Sequence, residues 1–152
     1  MRGSAANAPG LPRVGRRGDQ IQSLGGYTVA AQKPEDCDHL IAEYINSGNV
    51  QAAVDLYEPT ATFVAEPGKP VSGHVAIREV IAGFVASKPR IAMKVPIVVQ
   101  SGELALTVSE YTITSTGPDG KQTSSSARGT EVVRRQADGT WRFVIDNPTG
   151  TA

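Results

Sequence analysis

With a single cysteine, Cys37, among 152 residues, the chain can form no internal disulfide and no cysteine metal cluster. Its place in an apolar helical stripe suits a buried structural thiol better than a nucleophile. Histidine is almost as scarce. His39 and His74 fall on different expected helices with no His/Asp/Glu cluster at ligand spacing, so no metal site is expected, and His74 reads as a surface residue. Nothing approaches the roughly 18 consecutive apolar residues of a membrane span. There is no P-loop, no Gly-x-Gly-x-x-Gly opening a helix after a strand, and no Gly-x-Ser-x-Gly elbow, so no cofactor is expected. Net charge is also lacking, with 15 cationic and 15 anionic side chains.

That zero is unevenly spread. Residues 1–33 hold Arg2, Arg13, Arg16, Arg17 and Lys33 against Asp19 alone, a balance of +4 that leaves −4 on residues 34–152. A nucleic-acid binder concentrates positive charge on its folded part, so nucleic acid is not an expected partner. Residues 1–33 are rich in Gly, Ala, Pro and Arg without a sustained period, and cannot bury enough apolar surface to offset their ordering entropy. They read as a flexible, disordered leader. Arg16-Arg17 precedes IQSLGGYTVAA, whose Gln, Ser and glycines interrupt what an export signal would need as an apolar core. Residues 34–152 are expected to form one soluble, cytoplasmic domain.

From Pro34 a helical pattern begins. Glu35, Asp36 and Asp38 suit the positive end of the helix dipole, and Cys37, Leu40, Ile41, Tyr44 and Ile45 form one apolar face. Ser47-Gly48 stops it. Asn49 can cap a second helix over Val50–Tyr57, with Tyr57 facing inward, ended by Glu58-Pro59. Thr60–Glu66 has the β-branched and aromatic content of a short strand, closed by the turn Pro67-Gly68-Lys69-Pro70. Ser72 or Gly73 starts a third helix with the stripe Ile77, Val80, Ile81, Phe84, Val85.

Four strands follow as an antiparallel meander: Arg90–Gln100, Glu103–Thr116, Gln122–Arg135 and a last one to Asn147. The fold class is therefore α+β. Pro96 argues for an edge position or a bulge in the first of these strands. The closing hairpin, ARGTEVVRRQADGTWRFVIDN, turns at Gln136-Ala137-Asp138-Gly139. On a two-residue period Gly129, Glu131 and Val133 share one face; Arg142, Val144 and Asp146 alternate with Trp141, Phe143 and Ile145. An acid in the middle of so apolar a hairpin faces either water or a cavity, and a cavity is expected here.

Three stretches, SGNVQAAVDLYEPTATFV, PVSGHVAIREVIAGF and RGTEVVRRQADGTWRFVID, stand in an order and spacing that resembles the nuclear transport factor two-like superfamily. Ketosteroid isomerases and SnoaL-like polyketide cyclases belong to it. The resemblance covers about Pro34–Pro148 and implies a cone-like curved antiparallel sheet packed on three helices, with a pocket at its open end and a homodimer through the sheet. It also implies site residues. Glu66, before Pro67, matches the carboxylate base; Glu131, before Val132-Val133-Arg134, matches a protonated acid that donates to the substrate oxyanion. Tyr44 lies on the helix that carries the tyrosine donor, though nearer Gly48 than the pattern has it. Arg142, Val144 and Asp146 would face the pocket, with Tyr57, Phe63 and Phe84 as further ligand-facing residues.

Two acids in one apolar pocket can be driven to different pKa values, so that one donates a hydrogen bond while the other acts as base. On this model Glu66 removes a proton next to a carbonyl, and Glu131 with Tyr44 stabilises the enolate oxygen; Asp146 is a further catalytic candidate. Blander roles stay open. Glu66 could be a solvated loop acid, Glu131 could pair with Arg128, Arg134 or Arg142, Asp146 could cap the final turn, and Tyr44 could be core. The expectation is a domain that binds a small apolar or carbonyl-containing molecule as a cofactor-independent isomerase or cyclase. The alternative is a non-catalytic ligand-binding or dimerisation domain.

Overall fold

The structure, a computed structural model, describes residues 28–150. Most of the expected leader, residues 1–27, lies outside the described residues. Residues 28–33, assigned to the leader from their composition, instead pack on the domain. Ala31 is buried in the core and its carbonyl accepts from the Trp141 N–H at 2.9 Å. The Tyr44 hydroxyl pins the same segment, donating to the Val29 carbonyl at 2.7 Å and accepting from the Val29 N–H at 2.9 Å.

Helix α1 runs Asp36–Ser47 and ends on Gly48, whose φ of 75° is the left-handed conformation that glycine adopts without strain. Asn49 caps α2, Val50–Asp55, by accepting the Ala52 N–H at 3.1 Å. This helix stops short of Tyr57. Pro59 biases Glu58 toward extended backbone, and Tyr57 opens strand β1, Tyr57–Glu66, paired with Phe143. A second departure follows the turn at Pro67-Gly68: Lys69–Ser72 is a strand, β2, antiparallel to β1. It lies at the sheet edge, where the N–H that Pro70 lacks is not needed. Helix α3, His74–Ala86, returns across the sheet with Ile77 and Ile81 buried.

The meander is as expected: β3 Arg90–Ser101, β4 Leu104–Thr116, β5 Gln122–Arg135 and β6 Trp141–Asn147. The sheet order is β2-β1-β6-β5-β4-β3, with β1 and β6 parallel and the other neighbours antiparallel. It is a curved, unclosed α+β sheet around three helices. β3 is the second edge, and its register slips between Lys94 and Ile97, so Pro96 occupies both an edge and a bulge. Asn46 of α1 covers part of that edge. Its side chain donates to the Ile91 carbonyl at 2.8 Å and accepts the Ile91 N–H at 2.7 Å, much as another strand would. No helix among the described residues is long and apolar enough to cross a membrane.

A slip in β6 decides what faces inward. Val132 pairs with Ile145 while its neighbour Val133 pairs with Phe143, leaving Val144 as the extra residue of a β-bulge. Trp141 and Phe143 are therefore buried before the bulge and Asp146 after it. Strict alternation would have put Phe143 and Asp146 on opposite faces; the bulge puts both on the inner one.

Candidate functional site

Among the described residues, the side chains that are both buried and polar or charged are Asp38, Thr107, Ser109, Glu131 and Asp146, and four elements bring them together. Asp38 comes from the first turn of α1, on the same stripe as Ile41 and Ile45. Thr107 and Ser109 point inward from β4, opposite Glu131 and Gly129 of β5. Glu131 in turn pairs across strands with Asp146 of β6. The Ser109 hydroxyl donates to Glu131 Oε1 at 3.0 Å and the Thr107 hydroxyl to Oε2 at 3.3 Å. Asp146 accepts from the Tyr57 hydroxyl at 2.5 Å. Gly129 makes room for this arrangement, since a Cβ there would overlap Glu131 Oε1 and Ser109 Oγ.

The three acids line one cavity of about 270 Å³, close to the lower end of the roughly 300–1,000 Å³ usual for small-molecule sites. Its walls are otherwise mainly apolar: Ile41 and Ile45 from α1, Ile81 and Phe84 from α3, Phe63 and Met93 from the sheet. Tyr111 also lines it, with its hydroxyl donating to the Pro148 carbonyl at 2.7 Å. Among the described residues no Lys, Arg or His side chain lines the cavity.

An acid deprived of water and of a cation resists ionisation. Burial pushes Glu131 up to about 9, helped by the charges of Asp38 and Asp146 and opposed by the Ser109 and Thr107 hydroxyls. Burial likewise raises Asp146 to about 7, with the Tyr57 hydrogen bond opposing and Asp38 adding to the rise. Asp38 rises least, to about 6: desolvation lifts it, while Thr107, the Glu131 carboxyl and His39 hold it down. The rise is larger for Glu131 than for Asp38, so Glu131 is the acid of the pair that holds its proton and Asp38 the one that ionises first. Asp38 is only 2% exposed, and its Oδ2 has no protein hydrogen-bond partner. The Tyr57 hydroxyl is raised by burial and by Asp146, and Cys37 by burial and by Asp38, which keeps the thiol protonated.

The structure brings some of the expected site residues together and leaves others apart. Glu131, Asp146, Tyr57, Phe63 and Phe84 line the cavity. Glu66 does not. It sits at the β1–β2 turn with its side chain 64% exposed and paired with Lys69 at 2.6 Å, because the hairpin carries it beyond the cavity rim. Tyr44 is core, and its hydroxyl is occupied by Val29. Arg142 lines a separate cleft with Trp141 and residues 28–31. Val144 is the bulged residue and does not reach the cavity. The cations once open as partners for Glu131 are elsewhere: Arg128 lies 3.8 Å from Glu110, and Arg134 3.0 Å from Glu58. His74 is half-buried, within 2.8 Å of the Tyr57 carbonyl.

Asp38 is the site residue that reading the sequence missed. Among Glu35 and Asp36 it passes for one more acid at a helix start, yet its spacing to Ile41 and Ile45, i, i+3, i+7, is that of a buried stripe. Among the described residues no three His, Cys, Asp or Glu side chains are placed to hold a metal ion, so the acids share a cavity without converging on one point.

Solved structures carry the same fold. A ketosteroid isomerase-like protein from Erwinia carotovora atroseptica is 20% identical, with a TM-score of 0.65, over 74% of this chain and 88% of that one. An NTF2-like protein with a cystatin-like fold from Novosphingobium aromaticivorans is 16% identical, with a TM-score of 0.64, over 74% and 75%. A nuclear transport factor 2 (NTF2-like) superfamily protein from Salmonella enterica serovar Typhimurium is 17% identical, with a TM-score of 0.64, over 77% and 87%. No curated protein sequence matches the chain. The model of the SnoaL-like domain matches residues 38–144, from the cavity's Asp38 to the bulge of β6, and the chain belongs to that family.

Proposed function

We propose that the cavity binds a small, largely apolar molecule and moves a proton on it next to a carbonyl, as an isomerase or cyclase without a cofactor. The observation that carries this reading is the joint placement of Asp38 and Glu131, two buried acids of which burial raises Glu131 the further, in a cavity with largely apolar walls. Asp38 takes the role of base first expected of Glu66. Its carboxylate accepts a proton from the carbon next to the carbonyl, the C–H electron pair moves into an enolate, and Glu131 donates a hydrogen bond to the enolate oxygen. Asp38 then returns the proton to a different carbon. General-base and oxyanion contributions in comparable sites are each on the order of 10²-fold or more.

The test is exchange of deuterium from D2O into small unsaturated ketones, followed by NMR. Wild-type protein should accelerate exchange. Asp38→Asn should lose about 10²-fold or more, and Glu66→Gln should change nothing. A wild-type protein that exchanges no ketone, yet is stabilised against heat by such compounds, would leave the binding domain without catalysis as the reading to keep.

A second feature bears on partners. The outer face of the sheet presents an apolar row across its strands, from Ile97 (41% exposed) and Val99 (61%) through Leu104 and Leu106 to Ile145. Such a row suits a homodimer through the sheet. A monomer in sedimentation equilibrium at high concentration would sink that part of the reading. A cytoplasmic setting accords with one buried, unpaired cysteine, and a fluorescent fusion tests it.

A further inference from the structure

Proton transfer by Asp38 and Glu131 leaves the third acid without a task. Asp146 is 6% exposed and lines the same cavity, yet the only group shown to bind it is the neutral Tyr57 hydroxyl. Nor does any cation come from the described walls. Among the described residues the side-chain ion pairs serve other acids: Lys69 to Glu66, Lys121 to Asp119, Arg128 to Glu110, Arg134 to Glu58. A buried charge without a partner is costly, so such an acid holds its proton until a cation meets it. Asp38 adds an independent sign, since among the described residues its buried Oδ2 is left without a hydrogen-bond partner. A carboxylate oxygen accepts more than one hydrogen bond, so a proton on Glu131 does not exhaust it.

From these observations we infer that the molecule the cavity takes carries a protonated amine. This rests on the reading that the cavity binds a small molecule, and it names that molecule's class: a lipophilic ammonium ion whose N–H groups face Asp146 and the free oxygen of Asp38. A divalent metal ion is a poorer occupant because the acids do not converge on a point. An ammonium group attached to a hydrocarbon body suits the remaining walls. The rings of Tyr57, Phe63, Phe84 and Phe143 border the cavity, and aromatic faces attract cations. The same reasoning rejects carboxylate and phosphate ligands, which would meet three acids and no positive charge.

The experiment compares benzylamine, benzyl alcohol and benzoate by isothermal titration calorimetry on the full chain at pH 7.5. The account predicts that the amine binds roughly tenfold to a hundredfold more tightly than the alcohol, the range of hydrogen bonds to charged groups, and that benzoate does not bind. In Asp146→Asn the amine should fall to the level of the alcohol. Wild-type protein supplies a check that needs no variant to fold. Lowering the pH to 5.5 protonates Asp146 and Asp38, Glu131 already carrying its proton, while Tyr57, Tyr111 and Cys37 stay neutral, so the amine should weaken and the alcohol should not. His39 is exposed on α1 and lies outside the cavity lining. Alcohol binding as tightly as the amine, or benzoate binding at all, would overturn the ammonium assignment and leave the small-molecule cavity standing. If none of the three binds, the cavity reading falls as well.

Discussion

Gly129 shows at one residue how the site is made. Its place opposite Ser109 lets the Glu131 carboxyl fold back over the strand, where two hydroxyls hold it. Gly129→Ala should destabilise the domain by about 1–3 kcal/mol, the usual cost of overpacking, and chemical denaturation would read the change in midpoint. Tyr44→Phe tests the opposite kind of residue. It removes two hydrogen bonds to Val29 far from the acids, so it should cost about 1 kcal/mol and leave ligand binding unchanged. The sequence made Glu131 and Asp146 legible because an acid amid Val, Phe and Ile stands out. Asp38 was hidden by a competing explanation, since acids at a helix start need no cavity to account for them. Glu66 misled for a related reason: a match in sequence position says nothing about whether a hairpin lifts a side chain out of reach.

At the scale of elements, α1 contributes from both ends. Its first turn supplies Asp38 and its last supplies Asn46, which is bonded twice to Ile91 beside the cavity. Asn46→Ala should therefore cost about 1–3 kcal/mol, because it leaves β3 backbone groups unpaired, and should also weaken ligand binding, which Asn49→Ala at the α2 cap should not. Both effects can be read from thermal melts with and without ligand. The helical stripes and the Gly-containing turns made α1, α3 and the four-stranded meander readable in advance. Three features depended on pairing with distant strands instead. Tyr57 left α2 for β1 because Phe143 was there to pair with it, β2 formed against β1, and the bulge at Val144 set which side of β6 faces the core. A two-residue period cannot foresee a bulge, which is why Arg142 and Val144 were expected at the pocket and Phe143 was not.

For the whole molecule, three buried acids in one group make stability depend on pH in an unusual direction. Their pKa values are raised in the folded state, so the fold binds protons that the unfolded chain has already released. The contribution is complete below about pH 4, the ordinary carboxylate range, and is lost as pH rises through about 6, 7 and 9 for Asp38, Asp146 and Glu131. The melting temperature should accordingly fall between pH 5 and pH 9. Glu131→Gln, which mimics the protonated acid, should flatten the limb above pH 7; an unchanged limb would assign that loss to another group.

The most direct measurement is a carbon-13 NMR titration of the side-chain carboxyls, assigned through Asp38→Asn, Glu131→Gln and Asp146→Asn. The account predicts that Glu131 keeps its proton through neutrality and titrates last, after Asp38 has ionised. Three carboxyls that all titrate near the ordinary value of about 4 would contradict the buried acid group, and with it both the proton-transfer chemistry and the ammonium seat.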